Sequence, residues 1–202
     1  LTMKRKAVIP VHVWFSVKLF FLFLTFLCGG KKVQPYEYPS FLQCDKRWGA
    51  DIMNGSISIC ESGCAMTSLA MYFQGSGIDV PPHQTLDPRS FNAWLRKNEG
   101  YVCDRKYKKF CADLNLPKMK YLDKKIIYNG EKNPPGQNSM IEALMNQSGL
   151  LLHVRNKTHF VLLTGYDDEN ADVFYVNDPA SFSTTYLYAD VSDIIMYQID
   201  SH

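Results

Sequence analysis

The pattern of the chain changes at Gly149, and that change constrains the fold more than any other feature. The readable segments before it are helical; those after it are short apolar runs bounded by turn residues. Ser139-Met140-Ile141-Glu142 has the form of a capping box ahead of an apolar face of Met140, Ile141, Leu144 and Met145, with Gly149 as terminator. Strands follow at residues 150–154, 159–166 and 173–177, the last two reading as a hairpin around residues 167–172. Residues 186–188 and 194–199 can supply two more. Upstream, residues 65–74 read as a helix ended by Gly75 and Gly77. Ser90 can cap another, with Phe91, Trp94 and Leu95 on one face and Gly100 at its close. Residues 102–137 are lysine-rich and broken by Pro117, Pro134 and Pro135, and read as loop with one short helix. Helices first and an antiparallel sheet after them make an α+β fold.

The first thirty residues are a different material. Lys4, Arg5 and Lys6 form a basic start, residues 19–27 are apolar apart from Thr25, and Cys28, Gly29 and Gly30 precede a cut ahead of Lys31. Read from Met3, that is the layout of a secretory signal peptide. The rival is a signal anchor, because residues 7–17 are also mostly apolar; Lys18 interrupts that stretch, and residues 19–27 are too few to span a bilayer alone. The expectation is therefore a leader at residues 1–30, a single domain at 31–202, a secreted or secretory-lumen protein, and no membrane contact after cleavage. A net charge of +2 offers no argument for a nucleic-acid partner.

Export changes the cysteine arithmetic. Without Cys28, the remaining Cys44, Cys60, Cys64, Cys103 and Cys111 are an odd set, which suits two bridges and one free thiol. Connectivity stays open at this level. Cys44–Cys60 with Cys103–Cys111 is the tidy arrangement and leaves Cys64 free; a bridge from Cys64 to Cys60 or Cys44 would silence it. No C-x-x-C occurs and no cysteine stands at ligand spacing from a histidine pair, so neither a metal nor another cofactor is expected. Asn54, Asn146 and Asn156 open glycosylation sequons that matter only in a eukaryotic host.

Cys64 carries the chemistry. In Glu61-Ser62-Gly63-Cys64-Ala65-Met66-Thr67-Ser68-Leu69-Ala70-Met71 it stands at a tight turn where a helix begins. A helix N-terminus offers unpaired N–H groups and a positive dipole end, which favour thiolate, the nucleophilic form. The structural alternative is a small buried apolar residue. A thiolate needs a base and something to hold that base. His159 opens one strand and Asp178 closes the next. If Asp168 pairs with Ala171 around a two-residue loop, His159 faces Ala180 and Asp178 lies one diagonal step away on the same side. A loop of odd length would break that register. His153 competes for the role of base, and His83, beside Pro81 and Pro82, reads as a loop residue. Gln43 is the candidate amide donor to an oxyanion.

Five pieces in order resemble one family. They are Phe41-Leu42-Gln43-Cys44-Asp45-Lys46-Arg47-Trp48, Gly63 to Met71, Phe91 to Tyr101, Thr158 to Tyr166, and Val176-Asn177-Asp178-Pro179. Together they resemble the papain-like cysteine peptidases related to the double-glycine-leader (bacteriocin-processing) peptidase domain. The resemblance implies a papain-like fold, N-terminal helices packed on a C-terminal antiparallel sheet. It implies Cys64 as nucleophile, His159 as base and acid, Asp178 as orienter and Gln43 as oxyanion donor, acting on a peptide or protein substrate. Acyl transfer to another amine, or a silent binding module on the same fold, are the alternatives. Exporter members carry a transporter behind the peptidase, so a stand-alone relative is expected and cleavage after Gly-Gly leaders is not carried over. Ala65 stands where many relatives have Gly.

Overall fold

The computed structural model describes residues 31–103 and 112–200. The leader reading at residues 1–30 and the Cys111 half of the expected second bridge lie outside the described residues. From Lys31 onward the elements are β1 (Lys32–Val33), β2 (Ile52–Asn54), β3 (Ile57–Ser58), α1 (Ile59–Ser62), α2 (Cys64–Gly75), α3 (Pro88–Lys97), β4 (Tyr101–Val102), β5 (Asp113–Leu114) and β6 (Ile126–Lys132). α4 (Gln137–Met145) then precedes β7 (Gly149–Val154), β8 (His159–Asp167), β9 (Val173–Asn177), β10 (Thr185–Leu187) and β11 (Asp193–Ile199). The result is α+β, as the pattern change at Gly149 predicts. Among the described residues no helix is long and apolar enough to cross a membrane.

The main sheet runs β10-β9-β8-β7-β11-β6, every pair antiparallel, and β1 pairs with the far end of β8. Both faces are covered, which explains the unbroken run Leu150-Leu151-Leu152. Leu151, Leu162, Ile195 and Tyr197 pack with α2 and α3, whereas Leu150, Leu152, Val161 and Leu163 pack with Met140 and Leu144 of α4. Phe73 of α2 anchors the larger core, meeting Phe91 and Tyr197 edge-on at 5.9 and 5.5 Å.

Several element ends differ from expectation, each for a local reason. Ile57-Ser58-Ile59 alternates as a short strand would, but Ile59 does not continue β3. Ser58 and Glu61 form a capping box that turns the chain into α1. α3 is capped by Asp87 rather than Ser90: the Asp87 carboxylate accepts the Ser90 N–H at 2.8 Å, Ser90 Oγ accepts the Asp87 N–H at 2.9 Å, and Pro88 sits in the first turn. α4 begins two residues before Ser139, behind Gly136, with no side-chain cap. Gly149 does not end that helix. It opens β7, where a Cβ would lie 2.5 Å from the Tyr72 ring and only glycine fits. β6, in the segment read as loop, is an edge strand interrupted by a bulge against β11, with Gly130 at φ +95°.

The β8–β9 hairpin decides where the chemistry sits. Leu162 faces Asn177 and Leu163 faces Val176, the register that on paper sets His159 opposite Ala180. Nearer the turn, Gly165 faces Tyr175 and Tyr166 faces Phe174, one residue out of step. The connecting loop is not the expected two residues but residues 168–172, an odd length. A bulge between Leu163 and Gly165 absorbs the difference.

Candidate active site

Cys64 is the first residue of α2, and Gly63 before it offers no side-chain cap to the first N–H groups of the helix. Gly63 is needed here for close approach, since a Cβ would collide with the backbone oxygen of Ile59 as α1 turns into α2. Its φ of −83° is open to any residue. Cys64 is a free thiol and half-exposed. Cys44 and Cys60 are bridged, which leaves no bond from either to Cys64. Cys103 is also disulfide-bonded.

His159, the first residue of β8, is buried at 4% exposure. Its Nε2 lies 2.7 Å from Asp178 Oδ1. Cys64 adjoins the imidazole and acts with Asp178 to raise its pKa. With Nε2 committed to the carboxylate, Nδ1 is the ring nitrogen left for the sulfur. Burial alone would lower the imidazole pKa. The hydrogen bonds and charge interactions with Asp178 and Cys64 outweigh it and raise the value to about 9.

Asp178 follows the end of β9 and is 7% exposed. The Ala180 N–H reaches Oδ1 at 2.8 Å, while the Ser183 N–H and the Tyr186 hydroxyl donate to Oδ2 at 3.2 Å each. Burial would raise its pKa, but the hydrogen bond from His159 and these backbone donors hold it below the usual carboxylate value. The exposed Phe182 ring packs edge-on to the imidazole at 5.2 Å. Phe182, Ser183 and Tyr186 carry no sequence signal, because only the turn after Pro179 brings them back to the histidine.

Gln43 approaches from the loop before α1. Its backbone N–H donates to Pro179 O at 2.8 Å and its Nε2 to Cys60 O at 2.8 Å, while Oε1 is buried without a partner. One amide N–H is thus spent on Cys60 and the other is left over. The Cys44–Cys60 bridge ties the next residue of this loop to α1. Asn177 Nδ2 donates to the Tyr38 and Pro39 carbonyls at 3.3 and 3.2 Å, so the loop is fastened to the Asp178 corner as well. Ser68 Oγ donates to Phe160 O at 3.3 Å and links α2 to β8.

Gln43, Cys64, His159 and Phe182 line one cleft of about 760 Å³. Cys60 and His153 line it as well. His153, the competitor for the base, stacks on Phe160 at 3.9 Å, and burial lowers its pKa. Its Nδ1 lies 3.6 Å from Asp193, which Lys157 holds at 2.8 Å. No hydrogen bond joins it to Cys64. His83 stands in a surface turn, outside the cleft. Among the described residues no group of three His, Cys, Asp or Glu side chains is set to hold a metal ion.

A free thiol on a helix N-terminus, with an imidazole and carboxylate near it, is an arrangement that can support nucleophilic chemistry. Comparison with protein families assigns one: the Peptidase_C39 like family matches residues 37–196, and the chain belongs to it. That membership supports a peptidase of the cysteine type acting on peptides or proteins. No curated protein and no solved structure matches at a significant level.

Proposed function

We propose that this protein is an exported cysteine peptidase of papain-like fold in which Cys64 attacks the scissile carbonyl, His159 moves the proton and Asp178 orients the imidazole. The observation that carries the reading is the 2.7 Å His159–Asp178 contact beside a free, helix-terminal Cys64. With its pKa raised to about 9, the imidazole holds the Cys64 proton as imidazolium, the thiolate attacks the carbonyl, and the imidazolium gives that proton to the departing amine, leaving a thioester that water cleaves. The imidazolium is stabilised by Asp178, whose own charge four donors secure. The remaining Gln43 N–H and the Cys64 N–H are the donors for the oxyanion. Export is supported by the leader pattern of residues 1–30 and by the Cys44–Cys60 bridge, which suits an oxidising compartment.

The test is cleavage of a proteome-derived peptide library by protein expressed with its own leader. Peptide products are expected from the wild type and none from Cys64→Ala, with iodoacetamide labelling Cys64 in the folded, non-reduced protein. Equal cleavage by Cys64→Ala, or a folded protein whose Cys64 resists alkylation, would overturn the reading.

A further inference from the structure

The β7–β8 connection is an unusual piece of backbone. Arg155, Asn156 and Lys157 all take left-handed φ values, of 52°, 55° and 64°, and none is glycine. Such a run persists only where its surroundings hold it. Here the Thr158 hydroxyl donates to Arg155 O at 2.7 Å and the Thr158 N–H to Val154 O at 3.2 Å. His159 follows directly, so the loop that launches the imidazole also fixes the root of Arg155.

The two cations of this loop have different fates. Lys157 is paired with Asp193 at 2.8 Å. Arg155 lies over the Phe182 ring at 4.3 Å, with no carboxylate at salt-bridge distance among the described residues. A guanidinium held over an aromatic ring can still present N–H groups to a planar anion. Phe182, the ring beneath it, is 59% exposed and packs against His159.

The chemistry fixes which part of a substrate passes this shelf. The imidazole that protonates the leaving amine stands on the side of the departing fragment. Phe182 lines the cleft against the imidazole and carries Arg155 on its ring, so the pair adjoins the side on which that fragment departs. We propose that Arg155, seated on Phe182, is a carboxylate-binding subsite, so that the enzyme prefers peptides whose departing fragment carries an acidic side chain or a free terminal carboxylate. The inference rests on the peptidase reading above and names a substrate class for it. Recognition is non-covalent: the guanidinium donates two N–H bonds to the carboxylate and no bond is made or broken there.

The test uses a randomised synthetic peptide library in two forms, ending in a carboxylate or an amide, with products sequenced by mass spectrometry. Wild-type protein is expected to enrich acidic departing fragments about fivefold over neutral ones, the scale of one partly exposed ion pair. Enrichment in both forms assigns an acidic side chain; enrichment confined to the acid form assigns the terminal carboxylate. Arg155→Gln removes the preference and Arg155→Lys retains part of it. A second reading needs no turnover: the rate ratio of Cys64 alkylation by anionic iodoacetate to that by iodoacetamide falls in Arg155→Gln. Cys64-dependent cleavage with the same fragment profile in wild type and Arg155→Gln overturns the subsite and leaves the peptidase reading standing. No Cys64-dependent cleavage of either form overturns the peptidase reading, and an unchanged alkylation ratio then overturns the subsite too.

Discussion

Two charges meet at His159 and Asp178, and each raises the cost of neutralising the other. The sign of the pH dependence follows. The imidazole moves from 6.5 up to about 9, so its stabilising contribution is complete below pH 6.5 and lost as the pH rises through about 9. The Asp178 carboxyl is lowered from 3.8, so its contribution is complete above that pH and lost as the pH falls through the folded value. Stability from the pair is greatest between those limits. Thermal melts across pH are expected to fall on both sides in the wild type and to flatten in Asp178→Asn. The alkaline limb of Cys64-dependent cleavage is expected at about pH 9, moving down in Asp178→Asn; a wild-type limb at 6.5 would show that the carboxylate does not hold the imidazole. At Gln43 the prediction is kinetic. Gln43→Ala is expected to lower kcat roughly 100-fold, the usual cost of one oxyanion donor, with the circular-dichroism spectrum kept.

At the scale of elements, the caps and the bulge matter most. Asp87 closes the first turn of α3 from outside the helix, and Asp87→Ala is expected to cost about 1 kcal/mol, read from the urea midpoint. The left-handed residues 155–157 store strain of about 1–2 kcal/mol each, held by the Thr158 hydroxyl. The bulge between Leu163 and Gly165 is the device that lets an odd loop coexist with the site register. The existence and type of α2, α3 and β7 to β9 were legible because periodicity and burial agree there. Their caps were less so. Ser90 and Ser139 each match a local cap pattern, but Asp87 with Pro88 and the turn at Gly136 start those helices earlier. β6 was illegible, since an edge strand exposes one face, carries a bulge and is defined only by the partner it hydrogen-bonds.

Across the whole molecule, the cleft depends on holding the Gln43 loop, α2 and the β8–β9 corner together. Covalent restraint comes from Cys44–Cys60, which closes a short loop, and replacing both by serine is expected to cost about 3 kcal/mol in denaturant titration. The amino-acid sequence by itself determined the α+β order and the apolar faces, because each rests on spacing or on a short motif; it offered Cys44–Cys60 as one of several pairings, and Gln43, Cys64, His159 and Asp178 as candidates. Tertiary structure alone decided the rest. The bulge restores the site register, Phe182, Ser183 and Tyr186 fold back onto His159 and Asp178, and Arg155 comes to rest on an aromatic shelf. The physical reason is that these depend on hydrogen bonds and ring contacts between segments brought together only by sheet pairing, and no local propensity encodes a partner.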